Sequence, residues 1–154
     1  MKYIRCLFII LLVCCTERTF IRAPYFRAYD INGNNFFLNE NKDKHTILAF
    51  WATYCIPCMP ELVNLQEMHE KYSNKLRIAA VCIDGASLAD IAQIKDQFKL
   101  SYTLIQDKEN KIKSLYGVRE IPLLLIINNK KKIILRQKGQ MDDLEDCIKR
   151  YIFL

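Results

Sequence analysis

The stretch Thr46-Ile-Leu-Ala-Phe-Trp51 is a continuous apolar run. A strand with one wet face alternates apolar and polar residues, so a strand without alternation has to be covered on both sides. The same pattern returns at Leu76–Ile83 and at Leu123–Ile127. Segments with helical spacing lie between and around these strands. Leu62, Leu65, Met68 (or His69) and Tyr72 recur across Cys58–Tyr72, and Leu88, Ile91, Ile94 (or Lys95) and Phe98 across Leu88–Phe98. Tyr102–Gln106 reads as a short strand, and Asp107–Tyr116 as a short helix stopped by Gly117. Ile133–Gln137 pairs with Leu123–Ile127 through the Asn128–Lys132 turn, giving an antiparallel hairpin. A last helix, Asp142–Phe153, presents Leu144, Ile148 and Ile152 (or Tyr151) on one face. Upstream, Asn32-Gly33 between strand formers marks a hairpin within Tyr29–Leu38. Thr16–Phe26 reads as irregular and Glu40–Lys44 as a charged loop. This order predicts an α/β domain, a mixed central sheet with helices on both faces. The chain's 154 residues suit one such domain, and no internal repeat is visible.

The first fifteen residues stand apart. Lys2 and Arg5 give a positive start, Cys6–Cys15 is uncharged and apolar, and Thr16-Glu-Arg18 follows at once. This is the pattern of a secretory signal, and the apolar run is about half of the ~20 residues a membrane span needs. Residues 1–15 are therefore expected to be a signal, with the domain occupying 16–154. Leu12-Val-Cys-Cys15 is also similar to a bacterial lipobox, although Cys14 stands where that pattern has a small residue. Lipidation of Cys15 would tether the domain to a membrane surface without spanning it. Either route leads outside the cytoplasm, to the periplasm or the outer face of a bacterial membrane, where disulfide chemistry operates.

The net charge of +6 is diffuse, with no basic stripe interleaved with aromatics, so nucleic-acid binding is not indicated. Of the seven cysteines, three fall in the leader, and only Cys55 and Cys58 of the rest are close in sequence. A zinc site would need two more ligands at compatible spacing, and Cys82, Cys147, His45 and His69 are isolated. No metal or cofactor is expected. A C-x-x-C pair between a buried strand and a helix is instead a redox arrangement. One helical turn brings the two sulfurs within bonding reach. Unpaired N–H groups and the helix dipole lower the first thiol's pKa, commonly to about 3.5–7.5. Cys55 is thus expected to be an exposed nucleophile and Cys58 the resolving thiol. Pro57 suits a first helical turn, where no N–H is required.

Phe50-Trp-Ala-Thr-Tyr-Cys-Ile-Pro-Cys-Met-Pro-Glu61 resembles the active-site stretch of the thioredoxin-like superfamily, in particular its TlpA/ResA-type extracytoplasmic thiol–disulfide oxidoreductases. The resemblance covers roughly residues 24–153. It implies a thioredoxin fold with an extra βα-type insert over Ser87–Lys113. It also implies a cis peptide at Ile121–Pro122 facing the cysteines, with Ile121 offering its backbone to a substrate strand. An ordinary trans proline opening a strand is the alternative. Gly139 matches a family glycine near the site, or is a simple turn. The family often carries an acid at the position of Glu61. There it moves protons for Cys58, or simply favours the helix dipole. Thioredoxin's buried strand acid is replaced by Ala49, which shifts that role toward Glu61 or water. Trp51 reads as packing beside the site, or as a substrate contact together with Tyr54 and Pro57. Cys82 reads as an inert core thiol, His69 as a helix-surface residue and Lys130–Lys132 as a solvated turn.

The implied activity is dithiol exchange with protein disulfides by a monomer acting as a reductant, recharged by a membrane thiol carrier. A peroxiredoxin-like peroxidase is one alternative, but its pattern wants Thr at Ala52, where Thr53 is one step off. A non-enzymatic copper or protein chaperone is another. The copper binders of this fold use C-x-x-x-C, one residue longer than the spacing here.

Overall fold

The computed structural model describes residues 21–40 and 43–153. The signal, the lipobox at Cys15 and residues 16–20 lie outside the described residues. In chain order the elements are β1 (Arg27–Tyr29), β2 (Asn35–Phe37), β3 (His45–Trp51), α1 (Cys58–Tyr72), β4 (Leu76–Cys82), α2 (Leu88–Gln97), β5 (Thr103–Gln106), α3 (Lys111–Leu115), β6 (Leu123–Ile127), β7 (Ile133–Lys138) and α4 (Leu144–Ile152).

The three runs without alternation become β3, β4 and β6, inside a five-stranded sheet of order β5-β4-β3-β6-β7. β3, β4 and β5 are parallel, and β6 and β7 antiparallel, so the sheet is mixed as expected. Residues of one strand alternate between faces. Ile47, Ala49 and Trp51 enter one core with Leu62 and Leu65 of α1, Ile91 of α2 and Ile148 of α4. Leu48 and Phe50 enter the other, with Ile112 of α3, Phe26, Phe36 and Tyr116. Helices thus cover both faces, and the β1–β2 hairpin completes the second. Asp30 holds that hairpin's turn, its Oδ1 accepting from the N–H groups of Asn32 and Asn34 at 2.8 Å each.

The insert takes the form of α2 and β5. A capping box starts α2, with Ser87 Oγ accepting from the Asp90 N–H and Asp90 returning a bond to the Ser87 N–H. β5 adds an edge strand beside β4.

Several expectations need correction. The lead-in is not wholly irregular: Arg22 bridges Lys132, and Ala23 N–H donates to Lys131 O at 2.8 Å. The Asn128–Lys132 turn is not fully solvated. Lys131 is buried and its ammonium reaches Glu40 O at 3.3 Å, with burial and nearby Arg77 lowering its pKa. His69 is half-buried against Tyr102, and burial lowers its pKa.

The helix expected at 107–116 is confined to α3. Asp107 does not enter it; its buried carboxylate accepts from Ile112 N–H at 3.1 Å and Lys113 N–H at 2.7 Å. An acceptor just ahead of a helix satisfies donors that have no partner within it. Asp107→Ala is expected to lower stability by about 1–3 kcal/mol, read as a lower urea midpoint at unchanged slope.

Candidate active site

The site forms at the edge where β3 ends. In the register Trp51 lies beside Cys82, and Phe50 opposite Leu123, so Pro122 falls just past that same edge. The chain leaves β3 through Ala52–Tyr54 and turns back at Cys55, whose N–H donates to Ala52 O at 3.1 Å. Cys55 and Cys58 are joined in a disulfide with Cα atoms 5.3 Å apart. Cys58 opens α1, and Cys55 lies in the turn that feeds it, its carbonyl accepting from Cys58 N–H at 3.0 Å. Pro57 is the N-cap and contributes no side-chain cap.

The expectation of an exposed Cys55 needs correction. In the disulfide it is 6% exposed, against 1% for Cys58. Both sulfurs pack into the α1-side core with Trp51, Ala52 and Leu62. Cys55 remains the more open of the two and is flanked by Tyr54 and Ile56, which are 75% and 84% exposed. Pro57 is also exposed. Trp51 is not a surface contact. It is 1% exposed, and its Nε1 has no hydrogen-bond partner, so packing is the role its position permits.

Ile121–Pro122 is cis. Pro122 is buried and Ile121 half-buried, touching both cores. Pro122 O accepts from Gly139 N–H at 2.9 Å. Gly139 has φ +75°, the left-handed region that favours glycine. Two residues on, Met141 N–H bonds Glu61. The short segment after β7 therefore touches both the proline and the buried acid.

Glu61 sits one turn into α1 and is 3% exposed. Burial pushes its carboxyl up to about 7, against a weaker opposing pull from Met141 N–H, and its Oε2 has no partner. Ala49 is buried on β3 and has no titratable side chain, so the strand offers no acid at that place.

Asp84 follows the end of β4 by two residues. Its carboxylate accepts from Thr53 N–H at 2.7 Å and Thr53 Oγ1 at 2.6 Å. It also accepts from the Cys82 thiol at 3.0 Å and Ala86 N–H at 3.1 Å. Burial alone would raise its pKa, but these donors hold it down to about 2. Burial, followed by the bond to Asp84, raises the pKa of Cys82, which fits the inert thiol expected there. No local motif announces Asp84, because Thr53 is 31 residues away. Thr53's hydroxyl is committed to Asp84, and Ala52 has none, so neither offers the peroxidase pattern's threonine. Among the described residues no group of three or more His, Cys, Asp or Glu could hold a metal ion.

A helix opening on a redox disulfide, with a cis proline across the strand end of a mixed sheet, is the arrangement of thioredoxin-fold oxidoreductases. The sequence profile of the AhpC/TSA family matches residues 21–136, and the chain belongs to that family. It is 31% identical over 131 residues to the thiol-disulfide oxidoreductase ResA of Bacillus thuringiensis subsp. konkukian, covering 83% of this chain and 75% of ResA. A thiol:disulfide interchange protein from a Bacteroides species superposes with TM-score 0.75 at 23% identity, covering 88% of this chain and 91% of that one. A secreted Mycobacterium tuberculosis disulfide oxidoreductase does so with TM-score 0.72 at 17% identity, covering 84% and 96%. The protein is a thiol–disulfide oxidoreductase of the ResA type, with Cys55-Ile-Pro-Cys58 as its redox pair.

Proposed function

We propose that the chain reduces disulfides of extracytoplasmic proteins, with Cys55 as nucleophile, Cys58 as resolving thiol and Glu61 as proton acceptor. The Cys55 thiolate attacks one sulfur of a substrate cystine, and the bond to the other sulfur breaks, releasing a thiolate. Cys58 then gives its proton to Glu61 and attacks the Cys55 sulfur, freeing the second substrate thiolate. Substrate gains two electrons, and the Cys55–Cys58 dithiol becomes the disulfide. A membrane thiol carrier of the dithiol class returns the two electrons.

The observation that carries the proposal is the redox pair at the head of α1, its more open sulfur set between exposed Tyr54 and Ile56. Substrate backbone pairs with Ile121 beside Pro122, a mode that tolerates many sequences. The extracytoplasmic setting is supported by the charged-then-apolar first fifteen residues and by the secreted relative. The mature domain begins at residue 16, or at a lipidated Cys15, and works as a monomer. Among the described residues no helix is long and apolar enough to cross a membrane.

Equilibration with dithiothreitol or glutathione at pH 7 tests the direction of electron flow. A reductant is expected to have a potential near thioredoxin's, about −270 mV; a value near that of a strong oxidant, about −120 mV, would make the protein a disulfide donor instead.

A further inference from the structure

We propose that Asp84 is a positioning residue of the redox centre, fixing through Thr53 the loop that carries Cys55, and that the α2–β5 insert holds Asp84 in place. This rests on the oxidoreductase assignment and adds a residue to it. Thr53 is two positions before Cys55, between the last residue of β3 and the disulfide. Both of its polar donors end on one oxygen of Asp84, while the other oxygen takes Cys82 and Ala86. Four donors on one carboxylate fix its orientation, because each lone-pair direction is committed. The neighbouring backbone is tied as well, with Ile83 N–H donating to Trp51 O at 3.0 Å.

The insert closes the chain of contacts. Gln106, the last residue of β5, donates from Nε2 to Ala86 O at 2.6 Å, and Asp107 N–H donates to Cys82 O at 2.9 Å. The path therefore runs from β5 through Ala86 to Asp84, then through Thr53 to the Cys55 turn. The thiolate's stability depends on where Cys55 sits relative to the N–H groups that open α1. A loop that shifts by a fraction of an ångström changes that placement, and with it the balance between dithiol and disulfide.

Asparagine cannot substitute for this carboxylate. One of its two positions becomes an NH₂ donor, which faces either the Thr53 donors or the Cys82 and Ala86 donors. Thr53→Val removes one donor and keeps the shape; Thr53→Ser keeps the donor. The test compares these three variants with wild type by equilibration of the 55/58 pair with glutathione, insulin reduction and urea denaturation. Asp84→Asn and Thr53→Val are expected to change the equilibrium constant by about tenfold, roughly 30 mV. Both are also expected to lower kcat/KM by about tenfold, with Thr53→Ser within about twofold of wild type. If Asp84→Asn fails to fold, Thr53→Val carries the test alone. An unmoved constant with only a lower urea midpoint would overturn the proposal, leaving Asp84 a structural tie. Wild type is active in the same assay if the oxidoreductase assignment holds. An inactive wild type would overturn both, whereas an active one with unmoved variants overturns the proposal alone.

Discussion

Replacing Cys55 with serine is expected to abolish insulin reduction, with a loss of at least about 10³-fold, because a serine hydroxyl is not ionised at neutral pH and cannot expel a thiolate. Cys58→Ser is expected to fail differently. Cys55 remains able to attack, but nothing resolves the product, so a covalent mixed disulfide with substrate accumulates. Mass spectrometry of the quenched reaction reads this directly. Adduct on Cys55 in the Cys58→Ser protein, and none in Cys55→Ser, is the expected pair of results. The reverse pattern would assign attack to the deeper sulfur. Relative burial supports the expected order, since Cys55 is the more accessible member of the disulfide.

Glu61→Gln is expected to have the second-largest effect, read as stability against pH in the oxidised protein. The carboxyl ordinarily titrates near 4.5 and here titrates at about 7. Between those values the unfolded chain has lost the proton that the folded chain keeps. The folded state therefore binds more protons, and stability falls as pH rises through this window, levelling off above it. At about 1.4 kcal/mol for each pH unit, the full fall is about 3 kcal/mol. Glutamine has no proton to lose, so Glu61→Gln should remove this slope and gain on wild type from pH 4 to pH 8. Urea midpoints at those two pH values give the result, and parallel curves for the two proteins would contradict it. If Glu61 accepts the Cys58 proton, the resolving step should also lose its pH dependence in this variant.

The elements that carry the site were readable because they obey simple periodicities. Unalternated runs gave β3, β4 and β6 their double cover, and three- and four-residue spacing delimited α1 at Cys58–Tyr72. Cys55, Cys58, Glu61 and Pro122 all follow from local pattern or from resemblance. What escaped was set by contacts across the fold. Cys55 and Trp51 were expected at the surface, or were allowed there, because a turn and an aromatic beside a motif do not reveal which way they face. Both pack inward. Asp107 has a helical neighbour and a helical-looking sequence, yet its side chain caps the helix from outside. Lys131 lies in a lysine-rich turn but meets the carbonyl of Glu40, 91 residues away. Asp84 is the clearest case: its meaning comes from Thr53, Cys82, Ala86 and, through Ala86, Gln106, four positions that no short motif unites.

The most direct test is ultraviolet absorbance of the reduced protein near 240 nm, followed from pH 4 to pH 10 in wild type and Cys55→Ser. One thiolate should appear with a midpoint below about 7.5, and it should vanish in Cys55→Ser. Two ordinary thiols ionising together near about 8.5 in wild type would mean that the head of α1 does not activate Cys55, and the mechanism set out for this protein would be wrong.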